Sequence, residues 1–206
     1  MGSKGNRGVA IVSKIYCSSH EEVLVVRRRP HVVMGGGFVV TDSAHNVIFR
    51  VDGCGVVGTR GQLILRDANG DALLLIRRKE GMVEALSIHR KWKGLTFDYE
   101  GRPKLVFILK EPKKSCLAYN NTIKISLLPT NNNSDFYVRG YFSDKDCTIV
   151  DSTGYTVAQI GVTKEIEELM ASKDVYHVII KPGMDKAFIF GVIAILDYIH
   201  HESTSC

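Results

Sequence analysis

The sequence predicts a mainly β protein, a closed antiparallel barrel of about twelve strands around a central hydrophobic C-terminal helix. Three observations predict it. Short apolar runs recur along the chain, several joined through an Asp followed three residues later by Gly. In other runs polar and apolar residues alternate strictly. From Ala187 to Leu196, finally, there is no polar side chain.

From Glu22 the chain is strand-like. Val23-Leu24-Val25-Val26 is rich in β-branched residues and runs through Arg27-Arg28-Arg29 to Pro30, which limits pairing there. Gly35-Gly36-Gly37 breaks the chain before Phe38-Val39-Val40. Thr41-Asp42-Ser43-Ala44-His45-Asn46 then separates two apolar runs, which is hairpin chemistry, with Phe49 and Val51 on one face of the second. The arrangement recurs at Asp67-Ala68-Asn69-Gly70, at Asp98-Tyr99-Glu100-Gly101 and at Asp151-Ser152-Thr153-Gly154. Asp bonds its own backbone and Gly tolerates positive φ, so each is a tight turn between strands. The intervals are irregular, which describes a meander of hairpins and no solenoid or propeller period.

Ile123, Ile125 and Leu127 alternate with Lys124 and Ser126, and Phe136 and Val138 with Tyr137 and Arg139. Such alternation buries one face and wets the other. Two stretches read as helix. Thr163–Met170 is short and charged, with Thr163 as cap. The second is the apolar run, set off by Pro182-Gly183 and capped by Asp185. A helix apolar all round is enclosed by protein or by membrane, and a span needs about 20 apolar residues. Enclosure is therefore the reading, with Phe188, Phe190, Ile193 and Leu196 as core. From Asp185 to His200 a helix is roughly 24 Å long, the length of a barrel. Asp185, Lys186, Asp197 and His200 then fall at its mouths.

The chain has 206 residues, 45% hydrophobic and 24% charged, with a net charge of +5. That is ordinary globular composition, whose mild positive excess permits an anionic partner without requiring one. The organisation expected is a flexible leader over 1–21, one barrel domain over 22–201 and a short tail over 202–206. Five scattered cysteines without a Cys-Xaa-Xaa-Cys pair argue against a zinc site, and with no apolar signal segment they fit an intracellular, reducing compartment. Cys54, between Gly53 and Gly55, is expected to be exposed. Met1-Gly2-Ser3-Lys4 resembles a myristoylation start, but position 6 is Asn6 rather than Ser or Thr. Cys206 is not four residues from the end, where prenylation would need it.

No catalytic motif occurs. There is no His-Glu-Xaa-Xaa-His, no Gly-Xaa-Ser-Xaa-Gly, and Gly35-Gly36-Gly37 lacks the Lys-Ser/Thr of a phosphate loop. Asp67-Ala68-Asn69-Gly70-Asp71 imitates the start of a calcium loop, but its twelfth position is Arg78. A non-enzymatic protein without metal or cofactor is expected.

The chain resembles plant LURP-one-related proteins, a family sharing the Tubby C-terminal-like fold with tubby proteins and phospholipid scramblases. The resemblance is carried by Leu24-Val25-Val26-Arg27-Arg28-Arg29, Gly37-Phe38-Val39-Val40-Thr41-Asp42 and Val47-Ile48-Phe49-Arg50-Val51. It continues through Arg77-Arg78-Lys79, Leu86-Ser87-Ile88-His89-Arg90-Lys91-Trp92 and Asp135-Phe136-Tyr137-Val138-Arg139-Gly140. The last blocks are Val157-Ala158-Gln159-Ile160 and Asp185-Lys186-Ala187-Phe188-Ile189. It implies a twelve-stranded barrel around a C-terminal helix. It also implies a membrane-tethered or phosphoinositide-binding regulator without catalytic residues, some members being linked to plant defence.

Phosphate headgroups need convergent cations. The candidates for anionic phospholipid are Arg77, Arg78, Lys79, Arg90, Lys91 and Lys93, in two clusters, with Arg27-Arg28-Arg29 a third basic run. Antiparallel pairing of the segments from Leu73 and Val83 is expected to keep the two clusters from one end unless the chain bends. Alternation lets only part of each converge. Two readings stay open: a regulator on anionic phospholipid at a membrane surface, and a structural or protein-interaction module whose basic faces hold no ligand. Nucleic acid would need a continuous basic stripe of duplex width, which +5 does not favour. The expected place is intracellular: cytoplasmic, peripheral on a membrane, or nuclear, with no transmembrane segment.

Overall fold

A computed structural model describes residues 10–30, 35–79, 81, 87, 89–112, 122–128, 134–162, 174–200 and 203–205. Twelve strands form a closed barrel: β1 (Glu22–Arg28), β2 (Gly37–Thr41), β3 (Val47–Asp52), β4 (Gln62–Asp67), β5 (Ala72–Arg78), β6 (His89–Phe97), β7 (Pro103–Pro112), β8 (Ile123–Leu127), β9 (Phe136–Tyr141), β10 (Asp146–Asp151), β11 (Thr156–Gly161) and β12 (Val175–Ile180). Every strand pairs antiparallel with its sequence neighbours, and β1 closes on β12 through Glu22↔Ile180 to Arg27↔Val175. Among the described strands, closure leaves no edge strand for another chain to extend.

The four Asp-led turns join β2 to β3, β4 to β5, β6 to β7 and β10 to β11, all at one end of the barrel. In each, one carboxylate oxygen accepts two backbone N–H groups. Asp67 Oδ1 takes those of Asn69 and Asp71, both at 2.9 Å, so the segment that imitates a calcium loop is held by turn chemistry. Where three turns have Gly, the first has His45, at φ 64°.

A one-turn helix, α1 (Cys54–Val57), follows β3, and α2 (Lys186–Ile199) runs through the barrel. Phe188, Phe190, Ile193 and Leu196 are fully buried, as the apolar run predicts. Phe190 packs on Phe49, Phe188 on Phe107 and Phe136, and Tyr198 on Trp92, with ring centroids 4.9–5.6 Å apart. Packing leaves no room for a side chain at two glycines, one on the helix facing the wall and one within the wall. A Cβ on Gly191 would lie 2.5 Å from Leu74, and one on Gly94 would lie 2.2 Å from the Phe107 ring. Among the described residues, no helix is long and apolar enough to cross a membrane.

The two ends of α2 are tied by carboxylates that carry no exposure at all. Asp185 caps the helix, its Oδ1 accepting from Ala187 and Phe188 N–H, while its Oδ2 accepts from Ile11, Val12 and Ser13 at 2.7–3.0 Å. At the other end Asp197 meets Arg28 Nε at 3.2 Å and accepts from Ser203 Oγ and Thr204 N–H.

Two expectations are corrected. The leader expected to be flexible over 1–21 is anchored from Ile11, and Tyr16 lies on Phe49 with centroids 5.2 Å apart. Its buried carboxylate partner is distant in sequence, so no local pattern announces it. In the short tail, Ser203 and Thr204 are buried on Asp197. Cys54 is not exposed but buried, at 2%, and disulfide-bonded. The helix expected at Thr163–Met170 lies outside the described residues.

Candidate functional site: a basic wall on the barrel exterior

Register decides which cations meet. Arg77 lies directly across from Lys93, Arg78 across from Trp92, and Lys79 N–H donates to Lys91 O at 2.7 Å. The two clusters therefore share one end of the barrel. This overturns the expectation that antiparallel pairing separates them: β5 ends where β6 begins, and a hairpin brings those ends together.

Alternation then splits the clusters by face. Trp92 and Gly94 fill the interior, which turns Lys91 and Lys93 outward, with Arg77 and Lys79 exposed beside them. Arg78 and Arg90 go to the rim. The Arg78 guanidinium sits over the Tyr198 ring, 5.8 Å from its centroid. Arg90 meets Glu111 at 3.5 Å, and Trp92 Nε1 donates to the same carboxylate. Burial pushes the Glu111 carboxyl up, while the Trp92 N–H and Arg90 draw it back. Of six candidates, four reach the outer wall and two serve the mouth.

Lateral register extends the wall. Lys91 lies across from Lys110, Lys110 from Lys124, and Lys124 from Tyr137. With strands about 4.8 Å apart, Lys79-Lys91-Lys110-Lys124 is a row roughly 14 Å long. Arg77 and Lys93 flank it, and Arg139 stands outward on β9. Among the described residues, no acidic side chain lies between these cations; Asp135, beyond Ser126 at the end of the Arg77-Lys93 row, accepts the Leu127 N–H, and Arg77, Lys93, Lys110 and Lys124 make no ion pair. Lys124 sits alone among neutral residues, and Lys110 lies beside Glu111 in a stretch of mixed charge, so neither stands out as part of a wall; the signal is the pairing of β7 with both neighbours.

The third basic run is dispersed. Arg27 is exposed, Arg28 holds Asp197, and Arg29 joins Arg66 on Asp52. Beside Arg28 the mouth is closed by Lys145, whose Nζ donates to Phe142 O at 3.0 Å and lies 4.3 Å from the Phe142 ring centroid. Burial, then the Arg28 charge, brings Lys145 down to about 8, and burial pushes the Cys147 thiol up to about 12. Tyr176, fully enclosed, is raised well above the ordinary tyrosine value by burial and then by Asp197.

A family model described as LURP-one-related matches residues 22–197. The chain belongs to the LURP-one-related family. It is 58% identical to LURP-one-related 6 of Arabidopsis thaliana over 197 residues, covering 96% of this chain and 99% of that protein. It is 49% identical to LURP-one-related 16 of the same plant, with both chains covered completely. A crystal structure of another Arabidopsis thaliana protein superposes with a TM-score of 0.67 at 22% identity, covering 94% of this LURP-one-related chain and 99% of that one. That likeness establishes the shared barrel fold.

Proposed function

We propose that this LURP-one-related chain is a non-enzymatic binding protein that docks its outer wall over β5–β9 on anionic phospholipid at a membrane surface, as a regulator. The observation that carries the reading is the in-register row Lys91-Lys110-Lys124 beside Arg77 and Lys93. Like charges placed directly opposite on neighbouring strands oppose folding, by up to about 1 kcal/mol a pair. Among the described residues Arg77, Lys93, Lys110 and Lys124 make no ion pair, so the fold gains nothing from their charges internally, whereas an anionic surface gives about 1 kcal/mol for each Lys or Arg. Five such side chains supply on the order of 5 kcal/mol, a weak and reversible association. The resemblance to tubby proteins and scramblases points the same way. A non-catalytic role is supported by the use of the buried carboxylates Asp185 and Asp197 in tying backbone and tail. With α2 enclosed, the membrane contact belongs to the wall.

Co-sedimentation with phosphatidylserine-containing and pure phosphatidylcholine vesicles tests this. Binding is expected only to the former and falls as salt screens the wall. Charge reversal at Arg77, Lys93 and Lys110 to Glu abolishes it. Equal recovery with both vesicles at low salt refutes the lipid reading.

A further inference from the structure

The wall ends in a hollow. Thr122, Lys124, Tyr137 and Arg139 line an open cavity of about 250 Å³ where β8 meets β9. Its position follows from the pairing. Ile123↔Val138 and Lys124↔Tyr137 fix the register, Ile125, Phe136 and Val138 take the interior, and the alternate residues Lys124, Tyr137 and Arg139 stand outside. Just beyond, Gly140 at φ 88° brings β9 against β10, so close that a Cβ there would meet Asp146 O at 2.3 Å.

We propose that this hollow is a binding site for a phosphate monoester carried on a small polyol. The inference rests on the wall reading for its membrane setting and adds what charge alone does not: a ligand class. Among the described residues, the four lining side chains can all donate hydrogen bonds and none is acidic. Arg139 offers a planar fork and Lys124 a point charge, the pair that suits a phosphate with several free oxygens. Two cations match a monoester, which carries about −1.5 to −2 near neutrality, better than a diester with one charge. The hydroxyls of Thr122 and Tyr137 reach further oxygens, and the Tyr137 ring gives the carbon skeleton an apolar face to lie on. A volume of about 250 Å³ leaves room for a phosphate with a short polyol. Lys110, directly across from Lys124, raises the local positive potential and links the hollow to the row. None of the four is among the sequence-predicted candidates.

The ligand can be a lipid headgroup or a free phosphorylated polyol, and two arms separate them. In the first, glycerol phosphate is titrated into labelled protein and amide shifts are followed by NMR. Saturable shifts are expected at Thr122, Lys124, Tyr137 and Arg139, with dimethyl phosphate, a diester, at least about tenfold weaker. Arg139→Gln weakens glycerol phosphate by about tenfold or more, while the neutral pair Arg77→Gln with Lys93→Gln, farther along the wall, weakens it far less. In the second arm, vesicles carry phosphatidic acid, a monoester, or phosphatidylserine, a diester, at matched charge. Phosphatidic acid is preferred, and Arg139→Gln removes the preference while phosphatidylserine binding persists. Glycerol phosphate binding without any vesicle binding upholds the hollow as a site for a soluble ligand and overturns only the wall. Absence of saturable shifts at these residues, or a phosphatidic acid preference untouched by Arg139→Gln, overturns the site. Arg139 is exposed, so the variant is expected to melt as the parent does.

Discussion

Replacing Asp185 by Ala removes one side chain and five hydrogen bonds. Loss of the bonds to Ala187 and Phe188 takes away the N-cap of α2, worth about 1 kcal/mol. Loss of the bonds to Ile11, Val12 and Ser13 leaves three partly buried N–H groups without their acceptor, at about 1 kcal/mol each on the low side of the usual range. The sum, about 4 kcal/mol, is a large fraction of the 5–15 kcal/mol that holds a typical domain. With a urea slope of about 2–3 kcal/mol/M, the midpoint moves down by roughly 1.3–2 M. Asp185→Asn divides the effect. Its carbonyl oxygen can still cap the helix, but its amide presents donors to the donors of Ile11–Ser13, so it regains only about 1 kcal/mol. The assay is equilibrium urea unfolding followed by tryptophan fluorescence, since Trp92 is buried against Tyr198. An Ala variant within about 0.3 M of the parent midpoint refutes the argument. An Asn variant equal to the parent shows that the leader contacts contribute nothing.

Ile193→Asp places a charge without partner in the centre of the barrel, at several kcal/mol. The variant is expected not to fold, and a soluble, cooperatively melting product would mean that α2 is not enclosed. Lys145 gives a pH signature. Because the fold lowers it from 10.5 to about 8, the folded chain sheds its proton before the unfolded chain does, and stability rises with pH above about 8. Cys147, raised from 9.0 to about 12, acts in the opposite sense above about 9, which leaves pH 8 to 9 as the clear window. Urea midpoints across that window should rise in the parent and stay flat in Lys145→Met; a parallel rise in both refutes the assignment.

The parts of this fold written in local chemistry were legible. Asp42, Asp67, Asp98 and Asp151 bond backbone groups two and four residues on, so each hairpin is stated within one short segment. The apolar run of α2 and its cap at Asp185 are local too. What escaped depends on lateral neighbours. Nothing near Lys124 indicates Lys110 and then Lys91 on the adjoining strands, because register is set by loops and packing far from any of them. Arg78 and Arg90 read as equals of Arg77 and Lys93 until the pleat turns them to the rim. Asp185 shows its capping side in sequence, but its second oxygen binds residues more than 170 positions away.

The filling of this barrel comes after its wall in the order of synthesis. α2 follows all twelve strands, and β1 waits for β12, whose first residue lies about 150 positions later. At ribosomal rates of 5–20 residues per second, the first strand exists for roughly 10–30 s without one of its two partners and without the core it covers. Folding is therefore a largely post-translational event of high contact order, slow and exposed to association of unpaired strands. A nascent chain stalled before Lys186 carries the whole sheet and nothing to close it upon, which makes the last helix the commitment step for the molecule and the place where chaperones matter most.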